Sequence, residues 1–214
     1  MSLKFQHLML VLCLSIAAPA THAAVGNKNN QQSTLPEDLA NTAASEQKSQ
    51  FSTAQQQRLD MLFTRLASSD SESTANQLIA EIWSIWKDPL DTELLLQMTK
   101  AEQLYVKGKH EEAFKVLDEA IKDYPGYSEI WNQRATYYYF DGRYEDSLND
   151  IAKVLALEPR HFGAMSGKIA ILMREGRMDS ALKTLQQALK IHPFMPERRM
   201  LPPKEKQAPK GLAI

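Results

Sequence analysis

The chain has 214 residues, with 25 Lys or Arg against 26 Asp or Glu, a formal charge of −1 and a pI near 6.5. That balance excludes attachment to nucleic acid or anionic lipid by bulk charge. A single Cys excludes a disulfide framework within the chain and any cysteine-based zinc site, while 43% apolar residues are enough to fill a core.

The first segment, residues 1–23, has the pattern of a secretory signal peptide. Lys4 gives a positive start, Leu8 to Ala18 is an uncharged apolar run, and Thr21-His22-Ala23 sets small residues at −3 and −1 of a cut before Ala24. An uncleaved membrane anchor is the competing reading. A helix of that run rises only about 16 Å, short of the roughly 30 Å hydrocarbon core. Leu12 before Cys13 does not fit lipidation. Cleavage would remove the only Cys and, with Lys4, leave a charge of −2. The expected destination is the periplasm of a Gram-negative cell, with another secretory lumen left open.

Residues 24–50 are rich in Asn, Gln, Ser and Thr, lack aromatics, and carry only Val25, Leu35 and Leu39 as larger apolar side chains. So little apolar surface cannot offset ordering entropy, and a flexible linker is expected. Residues 51–89 follow as a helix pair. Leu59, Leu62, Phe63 and Leu66 make one helical stripe, and Leu78, Ile79, Ile82, Trp83 and Trp86 make another that stops before Pro89.

From residue 90 a period of 34 governs the chain. Gly108, Gly142 and Gly176 keep that step, as do Pro125, Pro159 and Pro193, and so do Ala113, Ser147 and Ala181. Leu117, Ile151 and Leu185 hold the same register, with Ala120, Val154 and Ala188. Each period reads as two helices. Gly ends the first by adopting the left-handed conformation, and Pro ends the second because it has no N–H to donate. After Pro193 the residues 196–214 form a Pro- and Lys-rich tail.

This register resembles the tetratricopeptide repeat (TPR) family. The middle repeat, 128–161, carries Trp131, Ala135, Tyr138, Gly142, Tyr144, Ser147 and Pro159 at the family's positions. Repeats 94–127 and 162–195 match at Gly, Ala and Pro but hold Gln97 and Met165 where Trp is usual. The resemblance implies an all-α fold: a right-handed α-solenoid of three helix pairs, spanning 90–195, with the degenerate pair 51–89 capping its start. It also implies a concave groove lined by the first helix of each pair, where family ligands are usually peptides. Carried across, the groove positions are Met98, Glu102 and Tyr105; Glu129, Asn132, Thr136 and Tyr139; and Gly163, Ser166, Ala170 and Met173.

No catalytic pattern competes with this reading. His110, His161 and His192 stand in separate repeats without metal-ligand spacing, His110 and His161 being expected at helix starts facing solvent. Glu111-Glu112 and Asp118-Glu119 read as a solvated face beside Lys115 and Lys122. Arg134 and Arg160 are expected to pair with Asp146, Asp150 or Glu158. The chain therefore reads as a non-enzymatic adaptor for a protein or peptide, without cofactor or metal. Its alternatives are a structural subunit of an envelope complex or an accessory to an envelope enzyme. Pro196 and Pro202-Pro203 leave little chain to cover the last helix, so self-association through the face of 178–191 is a further expectation.

Overall fold

The computed structural model describes residues 51–201, and the expected signal peptide, linker and the tail beyond Leu201 lie outside the described residues. Eight α-helices and one 3-10 turn are formed there, with no strand among the described residues. They are α1 (Thr53–Ala67), α2 (Glu72–Trp86), α3 (Thr92–Val106), α4 (His110–Asp123), α5 (Ser128–Phe140), α6 (Tyr144–Leu157), α7 (Phe162–Arg174) and α8 (Met178–Ile191), then the 3-10 turn Pro196–Met200. The fold is an all-α solenoid of helical hairpins.

The 34-residue punctuation acts through the backbone. Gly108, Gly142 and Gly176 have φ of 76°, 75° and 74°, a region where a Cβ is costly. At each, the glycine N–H bonds the carbonyl three residues back, and the next N–H reaches five back: Lys109 to Leu104, Arg143 to Tyr138, Arg177 to Leu172. The same closure, made three times, turns α3, α5 and α7 into α4, α6 and α8 with one geometry. Small residues then let the paired helices touch. Ala101, Ala113 and Ala181 have no exposure, and the Ser147 hydroxyl donates to the Ala135 carbonyl at 2.7 Å. Trp131 ties its repeat to the one before, its indole N–H donating to the Pro125 carbonyl at 3.0 Å.

The hairpin α1–α2 is built as its stripes suggest, with Leu59, Leu62, Leu66, Ile82 and Trp86 fully buried. Ser52 and Gln55 close a reciprocal capping box at the start of α1. Its position differs from the expected cap. Instead of lying on the first repeat as one more layer, it lies against the turns that join successive repeats. Phe51 meets Tyr127 edge-on at 6.1 Å, and the Tyr127 hydroxyl donates to the Trp86 carbonyl. Trp86 stacks on His161 at 4.1 Å and 6°, Trp83 meets Phe162 edge-on at 5.7 Å, and Phe63 meets Phe162 at 6.5 Å. Arg160 lies over the Phe63 ring at 4.3 Å and pairs with Asp60 at 2.6 Å as well as with Glu158. At the third turn, Glu72 of α2 faces Phe194, Met195, Pro196, Arg198 and Arg199 across a cavity of about 290 Å³. The aromatic residues of the hairpin find their largest apolar partners at these turns, and that preference sets the docking.

His161 is accordingly not a solvent-facing helix start. It has no exposure, its Nδ1 accepts the Ala164 N–H at 3.0 Å, and its Nε2 lies 3.1 Å from Glu129 Oε2. With Nδ1 accepting, Nε2 carries the proton and donates to the carboxylate. His110 keeps partial exposure, stacks on Tyr105 at 4.1 Å and pairs with Asp141 at 2.9 Å.

The outer face of 178–191 also departs from expectation. Ala181, Leu185 and Ala188 have no exposure, and Leu201 and Met200 join the cluster that contains Ile169, Leu172 and Leu185. The 3-10 turn covers part of this face: Leu201 packs beside Leu185, Met178 stays 46% exposed, and the outward Lys183, Gln186, Gln187 and Lys190 are polar.

Candidate functional site

The three first helices α3, α5 and α7 put equivalent residues in rows 34 apart: Met98, Asn132 and Ser166; Glu102, Thr136 and Ala170; Tyr105, Tyr139 and Met173. Glu129 and Gly163 form a shorter fourth row. The structure divides these candidates into two sets.

The closed set is committed to contacts within the chain. Glu129 is 5% exposed, fixed by His161 from one side and by Asn132 Nδ2, 3.2 Å from both its oxygens, from the other. Gly163 lies beneath Trp83, and an added Cβ would sit 2.8 Å from that ring. Met98 is buried, and its carbonyl accepts the Gln133 amide at 3.0 Å. Tyr105 is held between His110 and Tyr137, 3.9 Å from the latter, with its hydroxyl donating to Asp141 at 2.8 Å. Burial, reinforced by that carboxylate, pushes the Tyr105 hydroxyl well above its ordinary pKa. These four residues build the frame.

The open set comprises Glu102, Asn132, Thr136, Tyr139, Ser166, Ala170 and Met173, all half-buried. Its hydrogen-bonding character is one-sided. The Asn132 amide nitrogen is committed to Glu129, the Thr136 hydroxyl donates to the Asn132 carbonyl at 2.8 Å, and the Ser166 hydroxyl donates to Glu197. The two hydroxyl donors and one Asn132 N–H are thus used within the chain, whereas the second Asn132 N–H, Asn132 Oδ1 and the lone pairs of the two hydroxyls remain, so acceptors predominate. Glu102 adds a carboxylate whose pKa burial raises, against the opposing pull of Lys87. Burial also raises the Tyr139 hydroxyl, whose ring meets Phe140 and Tyr144 edge-on at 5.7 Å each. Met173 packs at the edge of the Ile169–Leu172 cluster. Such a floor suits a strand-like segment that presents N–H groups, with Tyr139 and Met173 for apolar contact.

Two participants escaped the sequence reading. Glu197 arrives from the final 3-10 turn to hold Ser166; it continues the row of Glu129 and Gly163 one period further, into residues read as tail. His161 orders Glu129, and through it Asn132, although His is not a usual helix cap. The expected ion pairs do form: Arg134 grips both Asp150 oxygens at 2.8 Å and reaches Asp118 at 2.5 Å. Among the described residues no group of three His, Cys, Asp or Glu side chains could hold a metal ion, and no helix is long and apolar enough to cross a membrane.

Models of the tetratricopeptide repeat match residues 96–127 and 132–196. A TPR repeat-containing protein of Rhizobium etli is 39% identical over 142 residues, 66% of this chain and 70% of that protein. A solved structure of a MamA point mutant aligns with a TM-score of 0.41 at 17% identity, covering 65% of this chain and 78% of that one.

Proposed function

This chain belongs to the tetratricopeptide repeat family, and from that premise we propose that it is an adaptor of the bacterial envelope that holds an extended partner segment on the open set of its groove. Tetratricopeptide repeat proteins are in general non-enzymatic interaction scaffolds, and that class fits a solenoid whose first helices set Asn132, Thr136, Tyr139, Ser166 and Met173 in register. The observation that carries the finer reading is the acceptor-rich floor. Asn132 Oδ1 and the Thr136 and Ser166 hydroxyls offer acceptors on α5 and α7 to the N–H groups of a peptide backbone. Glu102 disfavours an anionic segment. Location in the periplasm rests on the pattern of residues 1–23, and osmotic-shock fractionation with mass determination of the mature N-terminus tests it.

A photoreactive residue at position 136 in the intact cell tests the groove. A discrete crosslinked protein is expected, and it is lost on Asn132→Ala or Tyr139→Ala at unchanged helicity. Crosslinks unaffected by both substitutions would sink the groove reading and favour a structural subunit held by another face. Self-association through α8 is a separate proposal, and sedimentation of the mature protein tests it; Met178 on that helix is 46% exposed, while Leu201 is buried beside Leu185.

A further inference from the structure

Three positions that are equivalent by the 34-residue register have opposite fates. Ile130 of α5 and Ala164 of α7 are 0% and 1% exposed, because the second helix of the preceding repeat covers them; Leu96 of α3 is 59% exposed. The next row repeats the contrast. Tyr137 and Ile171 are buried, while Gln103 is exposed. Leu96, Thr99, Gln103 and Val106 recur at three and four as one uncharged stripe, with Leu90 and Val106 66% and 71% exposed at its two ends. The cause is the placement of α1–α2. Having docked on the turns, the hairpin leaves the upstream face of the first repeat unstacked.

We propose that this face binds an amphipathic helix of a partner protein, seated as the second helix of a preceding repeat would be, with an acidic residue opposite Lys100. The charge follows from the chain's own template. Lys100 is the first-repeat equivalent of Arg134, and Arg134 reaches back to Asp118 on the second helix of the repeat before it. Lys100 is exposed and forms no ion pair within the described residues. Its own second helix offers Val116 where the middle repeat has Asp150, so the acid must come from the docked helix. A second copy stacking head to tail does not fit. The corresponding face of α8 is partly covered by Leu201, and a two-fold pairing of α3 with itself sets Lys100 near its own copy.

The probe is a stapled, capped peptide with the sequence of residues 109–124, which supplies the α4 helix and its Asp118. Fluorescence anisotropy with the full chain is expected to give saturable binding in the range of about 10–100 μM. Leu96→Glu should weaken it about tenfold or more, and Lys100→Glu about threefold, the latter recovered by Asp118→Lys in the peptide. Tyr139→Ala in the groove should leave it unchanged. Absence of saturation at about 1 mM for a peptide that circular dichroism shows to be helical overturns the proposal. So does binding that survives Leu96→Glu but not Tyr139→Ala, which places the peptide in the groove. A dimer of the unliganded chain that Leu96→Glu abolishes overturns it in favour of a second copy.

Discussion

The first and middle repeats share a register, a glycine closure and a second helix of 14 residues, yet only one is stacked on both sides. Around Ile130 the chain is a close-packed interior, and around Leu96 it is a surface with the same backbone. The difference teaches that the repeat specifies the hairpin, while neighbours specify which of its faces is core. A solenoid is stabilised by nearest-neighbour interfaces. Here the upstream interface of the first repeat was exchanged for one across the turns.

The largest expected effect breaks that exchange. Trp86→Ala removes the ring stacked on His161 and should cost about 3–5 kcal/mol, read as a lowered midpoint in urea. If the hairpin were an incidental attachment, the midpoint of the repeats would not move. The direct comparison comes next: Ile130→Ala should cost about 2–5 kcal/mol, and Leu96→Ala stay within about 0.5 kcal/mol. Equal losses would mean that Leu96 is covered in solution.

A third test uses pH. Burial lowers the pKa of His192, at the third turn, from 6.5 to about 4. The unfolded chain therefore binds a proton between pH 6.5 and 4 that the native state refuses. Stability should fall as pH drops through that window, by at most about 3 kcal/mol from this group, and stop falling on its account below pH 4. His192→Gln should flatten the slope, and an unchanged slope would assign the acid sensitivity elsewhere. The smallest effect is local. Gly163→Ala pushes a Cβ to 2.8 Å from Trp83 and should cost about 1–3 kcal/mol, relieved when paired with Trp83→Leu; additive losses would show that the two do not touch.

The repeats were legible because their determinants are local. A glycine at positive φ and a proline without N–H must recur wherever the turn recurs, so the period of 34 is printed in the sequence. The docking of the hairpin was not. Trp83 and Trp86 fit their own helix stripe, and nothing periodic links them to His161 and Phe162 some 75 residues later. For the same reason His161 passed as a solvent-facing helix start. The candidate site was half legible. The register places Asn132 and Ser166 on the first helices, and Glu129 is a helix neighbour three residues from Asn132, but Glu197 reaches Ser166 only through the fold of the final turn.

The hairpin's reach over successive turns has a mechanical consequence. A row of hairpins is a spring, and its compliance resides in the joints between coils. Phe51 and Trp86 at Tyr127, and Trp83 at Phe162, bridge two such joints from one hairpin. Bridges at one edge should resist splaying there more than at the other. A segment bound in the groove as proposed would then meet acceptors whose spacing is set before it arrives, and spend little binding free energy on winding the spring.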